Sequence, residues 1–168
     1  MKRLISVLLV LLLLPIAGIA ENSAPEEETA EKTAGTDIAL EDVTDFYYTV
    51  DASTAPPYFQ RYRFYREEEK FFFYHETREG GGWPQTEEDI TESGTVELRA
   101  EQWEDLCELL RGGVARVREE SLEDGDAGPW LYIYWTGGEE DGREFTFESL
   151  EKESLFEEYC IGLKEGYL

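Results

Sequence analysis

The run Tyr58-Phe59-Gln60-Arg61-Tyr62-Arg63-Phe64-Tyr65-Arg66, then Glu67-Glu68-Glu69-Lys70, then Phe71-Phe72-Phe73-Tyr74-His75-Glu76, decides how this chain folds. In the first part Phe59, Arg61, Arg63 and Tyr65 alternate with Gln60, Tyr62 and Phe64, a period of two that belongs to a strand. The aromatic block from Phe71 is a second strand, and the polar run between them is a hairpin turn. Successive strand side chains point to opposite faces, so Phe71 and Phe73 go one way while Phe72 and Tyr74 go the other.

Working outward, Phe46, Tyr47, Tyr48 and Val50 form a shorter strand that ends before Ala55-Pro56-Pro57, and Thr95 to Leu98 forms another. From Ala100 to Arg111, Trp103, Leu106, Cys107 and Leu110 recur at helical spacing, and Gly112 and Gly113 stop the helix. Trp130–Thr136 and Arg143–Glu148 flank a turn rich in Gly and acids, a second hairpin. Ser154 and Glu157 read as the capping box of a last helix with the stripe Leu155, Phe156, Tyr159, Cys160 and Leu163. The expected fold is α+β: an antiparallel sheet of about five or six strands with two amphipathic helices packed on one face, in the order strands, helix, strand, strand, helix. Trp103-Glu104-Asp105-Leu106-Cys107 resembles Phe156-Glu157-Glu158-Tyr159-Cys160, but one short match lacks the sustained period of a repeat.

The first 20 residues read as a secretory signal peptide: Lys2 and Arg3, an apolar run from Leu4 to Leu14, Pro15, and small Gly18 and Ala20 before a cut that leaves Glu21 first. The expected location is therefore secreted or extracytoplasmic, with an uncleaved N-terminal membrane anchor as the alternative. Residues 21–41 lack aromatics and read as an acidic disordered tether, so the single domain is expected to span 42–168. In an exported chain the two cysteines are free to bond. If the helices run antiparallel about 10 Å apart, Cys107 and Cys160 come within about 5.4 Å at Cα. The expectation is divided between a Cys107–Cys160 disulfide and two small buried hydrophobes.

The chain carries 39 acidic against 15 basic residues, a net charge of −24. Nucleic acid is excluded as a ligand, since binding it needs Lys and Arg to neutralise phosphates, and an anionic membrane would repel the cleaved protein. Solubility accounts for most of the charge, and a basic protein partner is the specific alternative. No metal site or cofactor is expected. Asp124-Gly125-Asp126 lacks the ligand register of a calcium loop and reads as a solvated turn, and His75, without a triad or metal spacing around it, reads as a surface or packing residue.

Aromatics on both sides of the same strands carry the functional expectation. Trp130, Tyr132 and Tyr134 alternate with Leu131, Ile133 and Trp135, as Phe72 and Tyr74 alternate with Phe71 and Phe73, so one ring-bearing face looks away from the helices. Such rings either complete a core or form a platform for a ligand. Trp83, between three glycines and Pro84, is either a binding element on a loop or a plug over the end of the sheet. The candidate binding residues are Trp83, Phe72, Tyr74, Trp130, Tyr132 and Tyr134. The expected function is an exported, non-catalytic interaction module of a bacterial cell envelope or secretome, with a basic protein or an envelope glycan as partner. The alternative is a small extracytoplasmic hydrolase that cuts glycans with a carboxylate pair.

Overall fold

A computed structural model gives the fold of residues 30–117, 128–140 and 142–166. The leader, the first part of the tether and the Asp124-Gly125-Asp126 turn lie outside the described residues. The elements are β1 (Lys32–Thr33), β2 (Val43–Ala52), β3 (Tyr58–Glu67), β4 (Lys70–Glu79), β5 (Ile90–Leu98), α1 (Ala100–Leu110), β6 (Val114–Arg116), β7 (Trp130–Trp135), β8 (Arg143–Thr146) and α2 (Leu150–Glu165). All strands join one sheet in the order β1-β6-β8-β7-β2-β3-β4-β5, and all its pairings are antiparallel.

The class is mixed α+β, but the sheet has eight strands rather than five or six. The two additional ones are β1 and β6, two and three residues long. No period is legible in so few residues; both exist because β8 offers β6 a ladder and β6 offers one to β1. Within the stretch read as a tether, β1 is part of the sheet and Ala34, Ile38 and Leu40 are buried in the core.

The register places Ile133, Phe46, Phe64, Phe73 and Val96 in one row across five strands. Both helices sit on this face. Phe156 of α2 meets the rings of Phe46, Tyr48, Phe64 and Phe147 at centroid distances of 5.4, 5.4, 5.8 and 5.2 Å, and Trp103 of α1 stacks on Phe71 at 4.7 Å. The N-cap of α2 is Ser149, whose side chain accepts from the Lys152 amide, five residues before the Ser154 read from the sequence. The first turn of α2 buries no residue, and its apolar Leu150 is 81% exposed, so the buried stripe begins later than the helix does.

Cys107 and Cys160 are both free and buried, so of the two alternatives the disulfide is absent and both thiols are small buried groups. The helices do run antiparallel: Tyr159 Oη donates to the Gln102 carbonyl and Lys152 Nζ to that of Arg111. These two contacts put Cys107 level with about residue 155, so Cys160 lies about five residues, or about 7.5 Å of helix rise, beyond it. The cysteines share a flank without sharing a level. Cys107 Sγ instead faces the Leu40 carbonyl at 3.6 Å.

Candidate functional site

On the face opposite the helices, here the distal face, neighbouring strands contribute Trp130 of β7, Thr49 of β2, Arg61 of β3 and Glu76 of β4 in one row, and Tyr132, Tyr47, Arg63 and Tyr74 in the next. Thr49 is the short side chain between Trp130 and Arg61, with Tyr47 two positions away on the same strand. The gap it leaves opens a recess of about 640 Å³ lined by Tyr47, Thr49, Asp51, Phe59, Arg61, Trp83, Trp130, Tyr132 and Tyr134. That volume lies within the roughly 300–1,000 Å³ of small-ligand sites.

The walls are aromatic and their positions are fixed from several sides. Tyr47 and Tyr134 meet edge to face at 5.7 Å. Arg78 and Arg61 lie over the Phe59 ring at 4.4 and 5.1 Å. The Trp83 indole Nε1 donates to Asp51 at 2.9 Å, while the ring itself is 58% exposed. Its loop is anchored next to it by Arg78 Nη1 on the Gln85 carbonyl and Gln85 Nε2 on that of Pro57, each 3.2 Å. Trp83 is thus a held wall of the recess with an exposed ring.

Two of the arginines on this face, Arg63 and Arg78, are paired with carboxylates. Arg63 bonds Asp45 at 2.7 Å. Burial alone raises the Asp45 carboxyl, and Arg63 offsets only part of that rise. Burial also raises Glu76, but hydrogen bonds from Tyr74 and Arg78 outweigh it and leave the carboxyl below its ordinary range. Tyr74 is pushed up to about 12 by burial first and by its bond to Glu76 second.

Of the residues expected from the sequence, Trp83, Trp130, Tyr132 and Tyr134 line the recess together. Phe72 and Tyr74 share the distal face without lining it: Phe72 stacks on Tyr65 at 5.2 Å, and Tyr74 donates to Glu76 at 2.6 Å. Tyr47, Thr49, Asp51, Phe59 and Arg61 were not anticipated as lining residues. The alternation in β3 already placed Phe59 and Arg61 on one side, but which strand lay beside them was not readable locally.

Elsewhere, a cavity of about 380 Å³ lies between α1 and the turn at Leu40, bordered by Cys107. Burial pushes that thiol up to about 11, away from the range of a nucleophilic thiolate. His75 is buried on the helix face with Nδ1 lacking a partner, and burial lowers its pKa. Among the described residues no cluster of three or more His, Cys, Asp or Glu is placed to hold a metal ion, and no helix is long and apolar enough to cross a membrane. No protein family, curated protein or solved structure matches this chain.

Proposed function

We propose that this protein is an exported, non-catalytic binding module whose distal recess holds a glycan. The observation that carries the reading is the convergence of Tyr47, Phe59, Trp83, Trp130, Tyr132 and Tyr134 around one recess. Flat rings offer stacking area to the C–H faces of sugar rings, and tyrosine hydroxyls and the indole N–H supply polar tips beside them. Export rests on the N-terminal sequence, with Lys2, Arg3 and the leucine run as its signal. The hydrolase alternative needs a pair of carboxylates facing one cleft. Among the described residues that line the recess Asp51 is the one carboxylate, and it already accepts from Trp83.

The test is calorimetric titration of the purified chain with a panel of neutral and acidic oligosaccharides, beside Trp83→Ala. Since Trp83 is mostly exposed, its loss should leave stability within about 0.5 kcal/mol. Affinity should fall by about tenfold or more, the effect of removing one stacking ring. Failure of every oligosaccharide to bind, or equal binding by Trp83→Ala, refutes the reading.

A further inference from the structure

Among the described residues four arginines reach the distal face, and three are committed. Arg116, in register with Glu144 and Tyr132, pairs with Glu144 at 3.4 Å. Arg63 is held by Asp45 at 2.7 Å and lies between the rings of Tyr47 and Tyr65, at 5.0 and 4.5 Å. Arg78 is paired with Glu76. Arg61, between them in the sheet, has no carboxylate within ion-pair distance among the described residues. Its Nε reaches Thr49 Oγ1 at 3.4 Å, and its guanidinium rests 5.1 Å from the Phe59 centroid.

This is unexpected in a chain with 39 acidic residues against 15 basic. The two described acids nearest Arg61 accept hydrogen bonds from other groups. Glu76, its cross-strand partner, accepts from Tyr74 and Arg78. Asp51, which lines the same recess, accepts from Trp83. The guanidinium therefore has donors to spare at the floor of an aromatic recess, and a planar fork of N–H groups matches a carboxylate in two-point fashion.

We propose that Arg61 makes the recess selective for a sugar bearing a carboxylate, presented in a short oligosaccharide with a single acidic residue. The proposal rests on the glycan-binding reading above and specifies its ligand. The restriction to one acid follows from the net charge of −24. A polyanion would extend across the acidic remainder of the surface, whereas one carboxylate on Arg61 sits well inside the screening length of about 8 Å at physiological ionic strength.

The test titrates the full chain with sialyllactose and with oligosaccharides ending in one glucuronate or one galacturonate, each beside its methyl ester. The ester keeps the ring faces and removes the charge. At least one acid should bind about tenfold or more tightly than its ester. Arg61→Gln should bring the two within about twofold of each other, and Arg61→Lys should restore part of the difference. Thermal unfolding of both variants confirms that they fold. Equal binding of acid and ester by the unaltered chain, or a preference that survives Arg61→Gln, overturns the assignment of Arg61 while the glycan reading stands. Binding of neither acids, esters nor neutral sugars overturns both.

Discussion

Phe156→Ala is the substitution that most directly probes why one sheet face is left for ligand. Phe156 is 0% exposed and packs against four rings at 5.2 to 5.8 Å, three of them on the sheet and the fourth just after β8. Deleting a buried phenylalanine side chain costs about 3–5 kcal/mol through lost transfer energy and the cavity left behind. The middle of that range, about 4 kcal/mol, is expected here. Domains of this size are stable by about 5–15 kcal/mol, so the variant should fold but unfold at much lower urea. Phe156→Leu keeps most of the volume and should cost about 1–1.5 kcal/mol. Leu155, the preceding residue, is 46% exposed, and its change to Ala should stay within about 0.5 kcal/mol. Urea unfolding followed by tryptophan fluorescence reads all three, with the slope in denaturant held constant as the check on two-state behaviour. If Phe156→Ala costs less than about 1.5 kcal/mol, or no more than Leu155→Ala, α2 is not docked through this ring. The division into a helix-covered and a distal face then fails with it.

Both cysteines should resist thiol reagents in the folded chain and react on unfolding, and the intact mass should show two thiols, since burial raises both groups. Addition of reductant should leave the melting temperature unchanged; a mass lower by two hydrogens refutes the offset of the helices. His75 is held below its ordinary pKa by burial. The unfolded chain takes the proton first, near pH 6.5, so the contribution of neutral His75 is complete above that pH and is lost as pH falls through the folded pKa. Urea midpoints from pH 7.5 to pH 5 should therefore fall more steeply for the unaltered chain than for His75→Gln. A Cβ added at Gly94 would lie 2.7 Å from His75 Nε2. Gly94→Ala should therefore cost about 1–3 kcal/mol, with much of the loss recovered on combining it with His75→Ala; additive losses refute the contact.

The hairpin of β3 and β4 was legible because its signals are local: alternation over nine residues, a polar turn, and a block of rings. The same holds for α1, whose helical spacing and terminating glycines lie within one short window. β5 was legible only from Thr95, because its first half, Ile90-Thr91-Glu92-Ser93-Gly94, lies toward the sheet edge and is largely solvent-exposed. With little of it buried, nothing selects an apolar period there. The cysteine pairing failed for a related reason. Helical phase is a property of each segment alone, whereas the axial offset between α1 and α2 is set by where each docks on the sheet.

By itself the sequence determined that strands with rings on both sides must leave one aromatic face turned from the helices, because strand periodicity is fixed by backbone geometry. It also singled out Phe72, Tyr74, Trp130, Tyr132 and Tyr134 on such strands, and Trp83 on a loop. Only the tertiary structure decided that Trp83, Trp130, Tyr132 and Tyr134 meet. The pairing of β2 with β7 joins segments distant in sequence, and that ladder sets Thr49 beside Trp130 and opens the recess. The state of Arg61 is likewise a tertiary outcome. Whether its guanidinium is paired depends on how Glu76 and Asp51 satisfy their own oxygens, and here Tyr74, Arg78 and Trp83 satisfy them first.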